Sequence, residues 1–207
     1  MLNQKRISGK ALLFNIKGSV RHGQRCFSNG FFGFGGVEEP IRFEITKQHL
    51  PFNPHLFFRV VQDVDSYPLF LSYMPQCKAD PSSRNEIRGK YGNNTRGGFK
   101  APTTIGFNAV SFNYISNVTY SHPKIPVNLC PSQKNNWTKS LRWRVTTDSE
   151  SSRIFNSFKS EWRIRANPDY PISACIVDYH IEMGFSNAMY SAVTRQFFNF
   201  LVDNIND

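Results

Sequence analysis

Between Cys175 and Phe185 apolar and polar side chains alternate with hardly a break, and this run constrains the fold more than any other part of the chain. Cys175, Val177, Tyr179, Ile181, Met183 and Phe185 fall on one face, with Asp178, His180 and Glu182 on the other. A period of two is that of a strand with one dry and one wet side. Upstream, Trp162, Ile164 and Ala166 alternate with Glu161, Arg163 and Arg165, and Asn167-Pro168-Asp169-Tyr170-Pro171 supplies turn residues between the two runs. The runs are therefore expected to pair antiparallel, wet on one face only. Past Phe185 the period lengthens: Met189, Val193, Phe197, Phe200 and Leu201 recur at three- and four-residue spacing behind Ser186 or Asn187, either of which can cap a helix. A sheet with one apolar face, followed by a helix with one apolar stripe, must bury the two together or enclose a space for something else that is apolar.

The remainder supplies more strands and one more helix. Ile41, Phe43 and Ile45 alternate with Arg42, Glu44 and Thr46, as a first strand would. Asn53-Pro54 places a capping side chain and a helix-starting proline ahead of a helix over 55–64. An aromatic segment, 67–77, follows. Ile87 to Tyr91 reads as a strand, Asn93-Asn94 and Gly97-Gly98 as loops, and Phe107 to Tyr120 as a strand with Phe112 and Tyr114 on one face and Ile115 on the other. His122 to Thr138 carries three prolines and no clear period, so it is expected to leave the sheet before Leu141, Trp143 and Val145 resume it. The order of strand, helix, several strands, helix is that of an α+β domain.

Charge sharpens this picture. The formal balance is +10, yet Lys5, Arg6, Lys10, Lys17, Arg21 and Arg25 all precede the first acid, Glu38; setting those six aside leaves 19 Lys and Arg against 15 Asp and Glu, or +4. A body this mildly basic, without a dense basic patch or an RNA-binding aromatic motif, is not expected to bind nucleic acid. Cys26, Cys77, Cys130 and Cys175 are widely spaced and give no metal-ligand pattern with the five histidines. No run of about 18 apolar residues is present to span a bilayer.

Residues 1–36 have the composition of a mitochondrial transit peptide followed by a flexible apolar lead-in, Phe31-Phe32-Gly33-Phe34-Gly35-Gly36; Arg25-Cys26-Phe27-Ser28 resembles a matrix-processing site. The glycines follow no strand and precede no Gly-Lys-Ser/Thr, so they do not form a phosphate loop. Residues 37–207 are expected to be one domain.

Four stretches carry a family resemblance. Asp63-Val64-Asp65-Ser66-Tyr67 and, with Phe70 as first aromatic, Phe70-Leu71-Ser72-Tyr73-Met74-Pro75-Gln76-Cys77 are similar to segments of the coenzyme Q-binding protein Coq10 family. Phe155-Asn156-Ser157-Phe158-Lys159-Ser160-Glu161-Trp162 and Val177-Asp178-Tyr179-His180-Ile181-Glu182-Met183-Gly184-Phe185 are similar to two more, in the same order. The resemblance runs from about Phe32 to Ile205. It implies a START-like helix-grip fold, in which a curved antiparallel sheet packs around a long C-terminal helix. It also implies a protein that binds ubiquinone, has no cofactor, and works peripherally on the matrix side of the mitochondrial inner membrane beside respiratory-chain complexes.

The wet-face set Asp178, His180 and Glu182 is tempting as acid–base chemistry, but it points away from the apolar side, and no nucleophile–base order or metal triad is present. Catalysis is therefore not expected. Candidate cavity walls are Phe112, Tyr114, Trp143, Trp162, Tyr179 and Met183 from the strands, and Met189, Val193, Phe197 and Phe200 from the last helix. The aromatic motif of the resemblance adds Phe70 and Tyr73, in a segment that could act as a lid. A ligand cavity of about 300–1,000 Å³ would hold a quinone head and a few isoprene units. The alternatives are an accessory subunit of a respiratory complex, with a filled or polar interior, and a cyclase-like enzyme, with polar groups converging inside.

Overall fold

A computed structural model describes residues 39–71, 73–88, 94–107, 110–123, 140–148, 151, 153–192, 194 and 195. Its described strands are β1 (Ile41–Leu50), β2 (Gln76–Cys77), β3 (Asn85–Arg88), β4 (Asn94–Phe107), β5 (Val110–Pro123), β6 (Leu141–Thr147), β7 (Phe155–Ala166) and β8 (Cys175–Phe185), and the first described helix is α1 (Pro54–Gln62). The strands make one sheet in the order β1-β8-β7-β6-β5-β4-β2, with β3 paired to β4 beside this path. All pairings are antiparallel.

The alternation in β7 and β8 sets their register: Trp162 lies opposite Tyr179, Ile164 opposite Val177 and Ala166 opposite Cys175, so the dry faces coincide. The first strand returns to the far edge of β8, Ile45 opposite Tyr179. Between Ile45 and Gln48 this pairing is bulged; Lys47 adopts φ 54°, and the Asp178 carboxylate accepts its amide at 2.8 Å.

Asn53 starts α1 as its side chain accepts the amides of His55 and Leu56, at 2.9 and 3.2 Å, with Pro54 in the first turn. The helix lays Phe57, Phe58 and Val61 on the sheet. It ends at Gln62 rather than continuing to Val64, and a 3₁₀ turn, Val64–Leu69, takes over with Pro68 inside it. That turn is tied down at two points: the Tyr67 hydroxyl donates to the Val61 carbonyl, and the Asp65 carboxylate accepts the Ala79 amide at 2.7 Å.

The sheet departs from the expected pattern mainly at β4. Gly97 and Gly98 do not form a loop; they lie within a 14-residue strand. A side chain at Gly97 would run into the Tyr120 hydroxyl and the Asn85 carbonyl, and a Cβ at Gly98 would stand 2.6 Å from the Val118 carbonyl. Neighbouring strands come too close for anything but glycine, so residues that read as breakers are packing requirements. The expected strand from Ile87 to Tyr91 is Asn85–Arg88, with 89–93 outside the described residues. Phe107 closes β4 rather than opening β5, and His122 and Pro123 end β5. The rest of the irregular stretch, 124–138, lies outside the described residues.

After β8 the chain turns helical at residue 188, with Asn187 accepting the Met189 amide at 2.8 Å as the cap. Of the expected stripe only Met189 is among the described residues, and it does not face the sheet. Met189 is 56% exposed, whereas Ser191 and Thr194 are buried and Tyr190 sits 4.9 Å from Phe112, ring to ring. Successive helical positions lie about 100° apart, and the ring contacts of Tyr190 with Phe112 and Phe185 turn that position, not Met189, toward the sheet. Val193, Phe197, Phe200 and Leu201 lie outside the described residues, so the fold is α+β on a single antiparallel sheet with its terminal helix described only to residue 195.

Two packed clusters sit on the sheet. One gathers under α1 around Phe58, Trp143, Leu141 and Ile164; the other gathers around Phe112, Tyr114, Phe155 and Phe185 beside the terminal helix.

Candidate ligand-binding cavity

Between those clusters the interior is hollow. The space is about 160 Å³ and lies between the sheet and a roof made by α1 and the segment 67–77. Its origin is a matter of side-chain size. Ala101 and Thr103 on β4, Ser116 on β5 and Ser160 on β7 all face inward, and Ala101 lies directly opposite Ser116 across the β4–β5 ladder. Where four inward positions are this small, the roof residues Phe57, Val61, Val64 and Met74 close over the sheet without filling the room beneath. The side walls are aromatic: Trp162 against Tyr179 with centroids 4.2 Å apart, Trp143, and from the roof Phe70 and Tyr73.

Six of the candidate residues, Phe70, Tyr73, Tyr114, Trp143, Trp162 and Tyr179, are brought together on this wall. Phe112 and Met183 are not; they share strand faces with wall residues but lie farther along, packed in the second cluster, where Phe112 meets Phe185 at 6.0 Å and Met183 faces Phe158 across the ladder. Met189 is on the solvent side of its helix. Val193, Phe197 and Phe200 fall outside the described residues. The small residues that create the space were missed, although their signal was present: inward positions of a period-two strand occupied by Ala, Thr or Ser. The space is also smaller than the expected 300–1,000 Å³, because Tyr67, Phe70, Tyr73 and Met74 fold over it.

Polar groups do converge inside, as hydroxyls. The Thr103 hydroxyl donates to the Ala101 carbonyl at 2.9 Å and lies 3.1 Å from the Ser116 hydroxyl. The Cys77 thiol reaches Thr103 at 3.5 Å, and Ser160 donates to the Tyr179 oxygen at 3.5 Å. Burial pushes the phenols of Tyr67, Tyr73, Tyr114 and Tyr179 above their ordinary range, and the Cys77 thiol likewise. All five groups therefore stay protonated and neutral near pH 7. Among the described residues, no Asp, Glu, His, Lys or Arg lines the cavity, and no group of three or more potential metal ligands is found.

Charge is held on the other face of the sheet. Asp178 pairs with Arg165 at 2.9 Å and Glu182 with Arg42 at 3.0 Å. Glu161, only 4% exposed at its side chain, is covered by Arg163 at 2.7 Å, Arg144 at 3.1 Å and Lys159 at 3.8 Å. Burial alone would raise the Glu161 carboxyl, but the hydrogen bonds from Arg163 and Arg144 outweigh it and hold the group below the usual carboxylate range.

A single antiparallel sheet roofed by a short helix, with an uncharged aromatic hollow between, defines a domain that binds a small and largely apolar ligand. A family model described as polyketide cyclase / dehydrase and lipid transport matches residues 50–207, and the chain belongs to that family. It is 24% identical over 187 residues to the Coenzyme Q-binding protein COQ10, mitochondrial, of Drosophila melanogaster, a match covering 88% of this chain and 64% of that protein's length. Among solved structures, a START superfamily protein from Mycobacterium smegmatis aligns at TM-score 0.44 and 10% identity, covering 82% of this chain and 95% of that one. A protein from Thermus thermophilus aligns at TM-score 0.44 and 11% identity, covering 81% and 89%.

Proposed function

We propose that this chain binds ubiquinone in the hollow beneath α1 and delivers or positions it for respiratory electron transfer and quinone synthesis without altering it chemically. The observation that carries this reading is the character of the cavity wall: aromatic, free of charge among the described residues, and dotted with neutral hydroxyls. A quinone ring is flat and apolar on its faces and carries oxygens at its rim, so aromatic walls with a few hydroxyls suit it. The similarity to the Drosophila coenzyme Q-binding protein supports the same ligand. Converging hydroxyls would also serve a cyclase, but phenols held protonated are poor bases near neutral pH, and a carrier needs only their hydrogen bonds.

Size assigns the parts of the ligand. Cavities on the order of 150 Å³ hold a benzene ring, and this one, at about 160 Å³, suits a quinone head rather than its tail. The tail would leave past Phe70, whose neighbour Leu69 is 78% exposed. Each isoprene unit covered there contributes on the order of 2 kcal/mol at about 25 cal/mol per Å². Affinity is then readily reached, and release to respiratory-chain complexes becomes the step that needs the roof to move. We place this hand-off at the matrix face of the mitochondrial inner membrane, in keeping with the basic, acid-free start of the sequence and the mitochondrial relative.

Lipid extraction and mass spectrometry of the purified protein, with titration of a short-tailed ubiquinone against the fluorescence of Trp143 and Trp162, tests the proposal. Co-purified quinone and saturable quenching are expected. Repeated absence of both would overturn it.

A further inference from the structure

Read along the chain, the sequence shows no dense basic patch; the strand register assembles one. Inward positions of β4 to β7 line the cavity, and the alternate positions point the other way. On that outer face Arg96 lies in register with Ser121, Ser121 with Arg142, and Arg142 with Arg163, a single row across four strands. Arg144, Lys159 and Arg165 flank the row. These four strands contain a single acid, Glu161. Its side chain is 4% exposed beneath Arg163, Arg144 and Lys159, so the surface shows the cations and hides the carboxylate. Arg142 and Arg163 stand directly opposite each other, a like-charge pair that lowers the stability of the sheet. Among the described residues neither Arg96 nor Arg142 has a carboxylate partner. The face changes sign on β8 and β1, where its acids are Asp178, Glu182 and Glu44. Asp178 is paired with Arg165 and Glu182 with Arg42, whereas Glu44 is exposed and has no cation within ion-pair distance among the described residues.

We infer that this outer face docks a protein whose own surface is acidic where it meets Arg96, Arg142 and Arg144 and basic where it meets Glu44. Glu44 lies three strands from Arg142, roughly 14 Å at about 4.8 Å per strand. Both signs therefore fall within one ordinary protein interface, which takes about 800 Å² from each partner. A uniform polyanion, such as an anionic bilayer or a nucleic acid, is drawn to one side of this face and repelled at the other. A protein surface can answer both signs, and the two together fix its orientation. Arginine dominates the basic side, and its planar fork matches carboxylates in pairs of hydrogen bonds. Among the described residues, the outward positions of β4 to β7 present no aromatic ring on which a base could stack. Between the two signs the face is dished, a groove of about 470 Å³ bordered by Glu44, Lys47, Lys159, Arg163 and His180 that can take partner side chains. At the far end of the row Ile87 on β3, 72% exposed, stands opposite Arg96 and adds an apolar contact. The face lies across the sheet from α1 and the cavity, so a docked partner leaves the roof free, and the inference holds whatever the cavity contains.

The test introduces a photoreactive side chain at exposed Thr119, directly opposite Arg144, as Thr119→benzoylphenylalanine in the full chain. Crosslinks formed in cells are mapped to the peptide by mass spectrometry, alone and combined with Arg142→Glu or Glu44→Arg. One protein, joined at an acidic surface, is expected, its crosslink yield falling at least about tenfold in each variant. Arg142→Glu sets opposite charges face to face with Arg163, so its thermal midpoint should hold or rise, which separates lost docking from lost folding. In parallel, the purified chain is sedimented with vesicles of phosphatidylcholine and phosphatidylglycerol and titrated with duplex RNA. A polyanion would bind Glu44→Arg more tightly than the wild type. That result, the absence of a protein crosslink, crosslinks scattered over unrelated proteins, or an unchanged yield in either variant overturns the inference. Quinone affinity should be the same in both variants and the wild type, so failure here leaves the ubiquinone reading standing.

Discussion

Trp162 and Tyr179 stand directly opposite each other on β7 and β8, and their rings lie 4.2 Å apart, centroid to centroid, on the face turned toward α1. Trp162 also meets the edge of Phe57 from the helix at 5.9 Å, so one indole joins the sheet wall of the cavity to its roof. The hollow exists because residues next to this pair are small, and that makes it possible to fill the space without disturbing the frame.

Ser160→Leu is the most direct filling variant. Ser160 lines the cavity two residues before Trp162, and its hydroxyl makes only a 3.5 Å bond to Tyr179. A leucine there would occupy the space meant for the ring. Stability is expected to hold or rise, by up to about 1.5–3 kcal/mol for a well-buried leucine, while quinone affinity falls at least about tenfold. Chemical denaturation and quinone titration on the same preparation check this. Wild-type affinity in a stable Ser160→Leu protein would place the ligand elsewhere.

Wall residues differ in what they do for the fold. Trp143 is 1% exposed and is held by Phe99 at 5.7 Å, Tyr120 at 6.1 Å and Phe58 at 6.5 Å. Trp143→Ala is expected to destabilise by about 3–5 kcal/mol. Tyr179→Phe keeps the ring against Trp162 and gives up one long hydrogen bond, so its effect on stability should stay below about 1 kcal/mol. Urea unfolding midpoints of the two variants separate the roles.

The strands that wear their period openly, β7 and β8 above all, were legible in the sequence, as was the Asn53-Pro54 start of α1. Burial on one side of a strand forces alternation, and a cap is a local chemical requirement. What could not be read depends on neighbours far along the chain. Gly97 and Gly98 look like loop residues until Tyr120, Asn85 and Val118 are known to crowd them. Whether Met189 or Tyr190 turns inward depends on where Phe112 lies. The cavity itself comes from coincidence in space: Ala101, Thr103, Ser116 and Ser160 are unremarked small residues on three strands until the sheet brings their inward faces together.

Glu161 should make the protein acid-sensitive. Its folded carboxyl is held below the usual range by the hydrogen bonds of Arg163 and Arg144, in spite of burial. The folded state thus binds fewer protons than the unfolded one. The resulting stability is fully present above the ordinary glutamate value of about 4.3 and is lost as pH falls through the folded value. Charged hydrogen bonds are typically worth about 1.5–3 kcal/mol, and less here because the cations are half-exposed. Glu161→Gln should therefore lower the thermal midpoint at pH 6 but hardly at pH 3. A constant difference across that range would count against the ion cluster.

A second pH effect is expected higher on the scale, from His55 on α1 and His122 on β5. Their ring nitrogens lie 3.0 Å apart, one donating to the other, and Phe58 packs on His122 with ring centroids at 5.4 Å. Burial lowers both below the ordinary histidine value, and for His55 the neighbouring imidazole adds to this. Because the unfolded chain takes up protons at about pH 6.5 while the folded pair resists, this contribution is neutral above that value and turns destabilising as pH falls below it. The pair also joins the start of the roof helix to the sheet, so acid should loosen the cavity along with the fold. Thermal midpoints and quinone affinity measured from pH 7.5 to 5.5 are expected to fall together in the wild type. In His122→Gln, where two cations no longer have to meet, both should depend less on pH; slopes equal to the wild type's would assign the acid response to other groups.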